Sequence, residues 1–110
     1  MSTNEEWHYI KVPKLGRAWV GWGQAKNQDC MRKHGVSFEA MMVGLLENGI
    51  AELRSHPNAT RYPNQHILCI EINGYMHRCP CLISRSQDDE PCFFLKTICP
   101  SRQSERKLRR

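Results

Sequence analysis

The chain has no long apolar run. Among its 110 residues, no hydrophobic stretch approaches the roughly 20 consecutive apolar residues that a helix needs to cross a bilayer. A helical membrane span is therefore excluded. Internal repeats and low-complexity stretches are absent too, which excludes solenoids and fibrous arrays. The N-terminal residues, Met1-Ser2-Thr3-Asn4-Glu5-Glu6, are polar and acidic and contain no apolar h-region. The expectation is a cytoplasmic chain without a secretory signal or a membrane partner. Acids are scarce relative to bases: 11 Asp and Glu stand against 16 Lys and Arg, a formal charge of +5.

Paired cysteine clusters are missing as well. Cys30, Cys69, Cys79, Cys81, Cys92 and Cys99 are present, but they do not form the two C-x2-4-C turns typical of structural zinc sites. Without a secretory signal, a disulfide framework is not expected. His77, Cys79 and Cys81 alternate and would share one face of a strand, which keeps zinc as an alternative. Most of the cysteines lie in apolar runs such as Ile67-Leu68-Cys69-Ile70, where a small buried hydrophobe is the default. No metal and no cofactor are expected.

What is present fits one folded domain spanning residues 1–110. Hydrophobic content is 40%, above that of disordered chains, and the length suffices for one modest core. Residues 7–12, aromatic and β-branched and stopped by Pro13, read as an edge strand or an ordered arm within residues 1–16. Residues 17–22 form a second short strand, and 24–34 a polar helix ended by Gly35. Ser37 is a good N-cap for a helix over 37–47, where Phe38, Met41, Met42, Leu45 and Leu46 fall on one face of a 3.6-residue period. A brief strand at 50–54 and a proline-punctuated loop follow. Residues 65–72 and 75–84 flank Asn73-Gly74, a strong hairpin signal. Pro80 implies an edge position or a bulge in the second of these strands. Residues 85–91 are a polar loop, and 93–99 the last strand. The fold class predicted is α+β: β-α-α, then an antiparallel β-meander, then a short basic C-terminal segment.

That segment, residues 102–110, holds Arg102, Arg106, Lys107, Arg109 and Arg110 against Glu105 alone, which is +4 of the +5. Such a cluster at the edge of a small domain suits a polyanion, because phosphate contacts supply most of the affinity for nucleic acid. From charge alone it reads first as a solvated tail; a short helix is the other form open to it.

Arg32-Lys33-His34-Gly35-Val36-Ser37-Phe38-Glu39, after a Trp-ended strand and a helix carrying Lys26-Asn27, resembles the K-H-G-[VI]-x-F segment of BrnT-type toxins in the RelE/ParE-like superfamily. The order of elements is similar, as are Tyr62-Pro63-Asn64-Gln65, Gly74-Tyr75-Met76-His77 and the run from Phe94 through Arg102. The resemblance covers about residues 17–107. It implies a RelE/BrnT-like fold, the toxin of a type II toxin–antitoxin system, metal-independent cleavage of mRNA, and inhibition by a cognate antitoxin. Many such chains carry an Arg or Lys where this one has Cys99-Pro100.

Metal-free RNA cleavage needs a base for the 2′-hydroxyl, cations for the developing charge and an acid for the leaving oxygen. The candidates are Arg102 as phosphate clamp, Lys96 and Arg78 as further cations, and His34 or His77 for proton transfer. Arg106, Lys107, Arg109 and Arg110 are candidate nucleic-acid contacts. His77 and Arg78, as strand neighbours, face opposite sides, and His34 can equally bond the last carbonyls of its helix. The alternative function is a non-catalytic basic module that docks a partner protein or nucleic acid.

Overall fold

Alternating side chains at the N-terminus produce a hairpin. In the computed structural model, which describes residues 4–55, 58 and 60–100, β1 (Glu5–Val12) pairs antiparallel with β2 (Gly16–Gly23). The segment expected as an arm or edge strand is thus the outermost strand of the sheet. Two helices follow, α1 (Gln24–His34) and α2 (Phe38–Asn48). Gly35 ends α1 at φ 70°, and its N–H donates to the Met31 carbonyl, the left-handed cap that lacks a Cβ penalty only in glycine. The Ser37 hydroxyl accepts from the Ala40 N–H and starts α2.

The remaining strands are β3 (Glu52–Ser55), β4 (Gln65–Ile72), β5 (Tyr75–Arg85), β6 (Pro91–Leu95) and the two-residue β7 (Cys99–Pro100). The sheet runs β1-β2-β6-β5-β4-β3, with β7 continuing beside β5. Asn73 and Gly74, both at positive φ, make the β4–β5 turn, the geometry that Asn-Gly favours. The architecture is mixed α+β. β2 and β6 pair in parallel, so the N-terminal hairpin joins the sheet beside its last long strand.

The predicted strand over 93–99 is interrupted. β6 stops at Leu95 opposite Cys81, and pairing resumes with Cys99 opposite Arg78. Residues 96–98 therefore face only Cys79 and Pro80, one residue too many, which is a β-bulge. Pro80 explains the position. Its carbonyl accepts from the Lys96 N–H at 2.8 Å, so the side of Pro80 that would carry an N–H also points to β6. The ladder lacks a donor there, and the extra residue is accommodated at that point.

Both helices cover one sheet face. Trp22 lies between the His8 and Phe38 rings, and Val20, Phe38, Met41, Leu45, Leu68, Ile70, Cys79, Phe93 and Ile98 fill the core around it. Leu46, predicted to face this core, is exposed. It lies about 100° around the helix from Leu45, and the buried stripe is narrow: Phe38, Met41, Gly44 and Leu45, with Met42 half-buried at its margin. No helix among the described residues is long and apolar enough to cross a membrane.

Candidate nucleic-acid interface

β5 divides the predicted site. His77 pairs with Ile70 on β4 and Pro100 on β7, and its ring is buried on the helix side. Nδ1 lies 3.0 Å from the Tyr75 carbonyl oxygen, a contact that makes Nδ1 the protonated nitrogen. Arg78 faces the opposite side and is exposed, as the period of two requires. Across the sheet, Arg78 and Glu52 lie on either side of Cys69 in register, and Arg54 forms a two-point ion pair with Glu52 at 2.7 and 3.0 Å. Burial and the Glu52 carboxylate push the Cys69 thiol up from its ordinary pKa, against a smaller opposing pull from Arg54 and Arg78.

Lys96 is exposed and opens the bulge opposite Pro80. Arg78 pairs with Cys99 just beyond the bulge, so these two cations flank it along one edge of β5. His34 approaches the same region from the helix layer. The Cys30 thiol lies 3.7 Å from the Thr97 hydroxyl, and His34 is one helical turn beyond Cys30 on α1, about 6 Å farther along the axis. Its side chain is exposed. Nearer the middle of α1, Asp29 bonds Arg32 at 2.6 Å and Lys33 at 3.2 Å. Arg102, Arg106, Lys107, Arg109 and Arg110 lie outside the described residues.

His77, Cys79 and Cys81 share the buried face of β5. Desolvation pushes the Cys81 thiol up to about 12 and the Cys79 thiol well above its ordinary value, so both are neutral. No group of three or more His, Cys, Asp or Glu among the described residues is arranged to hold a metal ion.

Comparison with protein-family models, curated proteins and solved structures finds no match.

One feature escaped the sequence reading. The sheet face opposite the helices bears Trp7 and Tyr9 from β1, Trp19 from β2 and Phe94 from β6. Trp7 packs against Phe94 at 5.8 Å between ring centroids, and Tyr9 against Trp19 at 4.8 Å. The Tyr9 hydroxyl donates to Glu90, a bond that holds the phenol above its ordinary pKa, and the Arg17 guanidinium lies over the Tyr9 ring. Trp7 and Trp19 border an open groove of about 600 Å³ whose floor includes Ser84 and Cys92. A signal was available: Trp7 and Tyr9 are two apart, and Trp19 alternates with the buried Ala18 and Val20.

Proposed function

We propose that this chain is the toxin of a type II toxin–antitoxin pair and cleaves mRNA without a metal. The carrying observation is the junction at β7. Cys99 and Pro100 are hydrogen-bonded to the Arg78–His77 stretch of β5, and the most basic run of the chain follows immediately in sequence. Lys96 opens the bulge at this junction, and the α1 end bearing His34 is tied to it through Cys30 and Thr97. Cations from two strands thus lie beside the last described strand, and His34 stands at the end of α1 on the helix side of the sheet.

In this reading the RNA 2′-hydroxyl attacks the adjacent phosphorus and the 5′-oxygen leaves, giving a 2′,3′-cyclic phosphate and a 5′-hydroxyl. Arg102 clamps the phosphate through its planar fork. Lys96 and Arg78 neutralise the charge that develops on the nonbridging oxygens. His34, exposed at the end of α1, exchanges protons with the 2′- and 5′-oxygens. His77 keeps the β5 end in place through the Tyr75 carbonyl. Arg106, Lys107, Arg109 and Arg110 draw in the strand. A cognate antitoxin covers the junction, and the chain acts in the cytoplasm.

The test is expression of the chain alone, which is expected to slow bacterial growth. Purified protein is expected to cut RNA in EDTA and leave 2′,3′-cyclic ends. Arg102→Ala is expected to lower cleavage on the order of 100-fold, as loss of an oriented transition-state cation does, whereas Arg110→Ala weakens binding in a salt-dependent way. Unaffected growth and intact RNA would refute the enzyme. A second reading, a non-catalytic nucleic-acid-binding module, is favoured by the exposed aromatic sheet face. It is the one to adopt if both arginines matter equally and only at low salt.

A further inference from the structure

The groove on the helix-free sheet face has the composition of a base-binding slot. Trp7 is seated rather than loose. A Cβ on Gly21 would collide with the Trp7 ring, so the missing side chain is what lets the indole lie flat over β2. Its Nε1–H donates to Glu5 at 3.2 Å, and Phe94 flanks it. The outward surface of the ring stays open, with Trp7 39% exposed. Trp19, held by Tyr9, forms the second aromatic border. A preorganised indole with one free face stacks on a nucleobase of any kind.

The opposite rim is polar. The loop between β5 and β6 contributes Ser86, Gln87 and Asp88 to the groove. It is closed by the Ser86 N–H bonded to the Glu90 carbonyl and by the Arg85 guanidinium on the Asp89 carbonyl, so the rim belongs to a built turn. Asp88 offers a carboxylate, an acceptor without a donor. Among the bases only guanine presents two adjacent N–H donors, N1–H and the N2 amino group, to one carboxylate. Arg17 and Lys11 face each other on the same sheet face, next to Tyr9 and Trp19. They place positive charge where the phosphates of a strand crossing the groove would run.

We infer that the Trp7–Trp19 groove binds a guanine base of single-stranded RNA, with the ring stacked on Trp7 and its Watson–Crick edge bonded to Asp88. This deepens the proposed ribonuclease reading, since it gives the substrate a recognised base at a distance from the cleavage junction.

Binding is measured by fluorescence anisotropy at one fixed salt concentration, using short 2′-O-methyl RNA that cannot be cleaved. Strands carrying a single guanine in a uridine background are compared with the same strands carrying adenine or inosine. The expected result is a guanine preference of about tenfold or more, reduced for inosine, which lacks the N2 amino group. Trp7→Ala is expected to weaken every strand about 10- to 100-fold, with Trp7→Phe recovering part of the loss. Asp88→Asn is expected to abolish the preference, bringing the guanine and adenine strands to equal affinity. Circular dichroism and melting of each variant separate lost binding from lost folding, and the exposed Asp88 provides a variant whose fold is secure. Equal affinity for the three strands, or insensitivity to both Asp88→Asn and Trp7→Phe, overturns the groove. So does Trp7→Ala impairing only the binding of a protein partner. Cleavage of natural RNA is assayed separately. If RNA is cut while the preference is absent, the groove assignment alone fails. If the preference is present while RNA stays intact, the ribonuclease reading alone fails.

Discussion

Substituting Gly44 by alanine opposes two effects of known size. Gly44 sits inside α2, where alanine is favoured over glycine by about 1 kcal/mol on helix propensity. A buried methyl group adds at most about 0.8 kcal/mol of transfer energy. Against this stands the surface of β4. A Cβ at residue 44 would lie 2.9 Å from the Glu71 carbonyl oxygen, 2.9 Å from Ile70 Cγ2 and 3.3 Å from Ile72 Cγ1, well inside the 3.5–4.0 Å optimum for carbon contacts. The first obstacle is backbone, and the second belongs to a β-branched side chain on a paired strand, so neither can rotate aside. The Glu71 carbonyl also accepts from Asn48 Nδ2 at 3.2 Å, a bond that is strained if the carbonyl yields. Instead α2 must lift, loosening Phe38, Met41 and Leu45 together. Overpacking costs about 1–3 kcal/mol, and with three close contacts the upper end or beyond applies. The net expectation is a loss of about 1–2 kcal/mol and a melting temperature lower by about 5–15 °C. Gly23→Ser is the matched control. It occupies the α1 N-cap at φ −85°, in open space and without a side-chain cap, and should gain a few tenths of a kcal/mol. A melting temperature for Gly44→Ala at or above that of the parent would refute the close approach of α2 to β4.

Met41→Asp should unfold the domain or cost several kcal/mol, since it buries an unpaired carboxylate, whereas Leu46→Asp, at an exposed position, should stay within about 0.5 kcal/mol in urea titrations. Stability should fall as pH rises from about 9 towards 12: Cys81 holds its proton in the folded state up to about 12 but ionises at the ordinary 9.0 when unfolded, so the unfolded state binds fewer protons over that window. Cys81→Ala should flatten the decline, and a parent curve that is flat above pH 9 would contradict the burial. In native protein Cys92 should react with iodoacetamide before the buried Cys79 and Cys81 do, as mass mapping would show. Asp29 should titrate below its ordinary 3.8 by NMR because Lys33 first, and Arg32 second, bond its carboxylate; the small stabilisation is present above 3.8 and lost as pH falls, and Lys33→Ala should move the titration upward.

Legibility followed locality. The α2 helix was readable because Ser37, Glu39 and the Phe38/Met41/Leu45 spacing all act within one or two turns. The β4–β5 hairpin was readable because Asn73-Gly74 needs no knowledge of the rest of the chain. Pro80 announced a defect, yet the extra residue sits on the partner strand, at 96–98, where no residue marks it. The exposure of Leu46 depended on how narrow a strip of α2 the sheet covers. The aromatic groove required knowing which sheet face the helices leave open, a consequence of tertiary packing. At the junction, the opposite orientations of His77 and Arg78 followed from strand geometry alone. The burial of His77 depended on β4, β7 and the helix layer together.

The parallel seam between β2 and β6 has a consequence for the timing of synthesis. Trp19 meets Cys92, and Trp22 meets Leu95, so the seam joins a strand made before both helices to one made after β5. A nascent chain stopped before residue 91 carries β1 to β5 and both helices but no partner for β2 in the middle of the sheet. It lacks both the floor of the aromatic groove at Cys92 and the β7 clasp on Arg78. Neither surface can be assembled piecemeal during elongation. Both wait on β6, which lies between the two halves of the sheet, or on β7 beside β5.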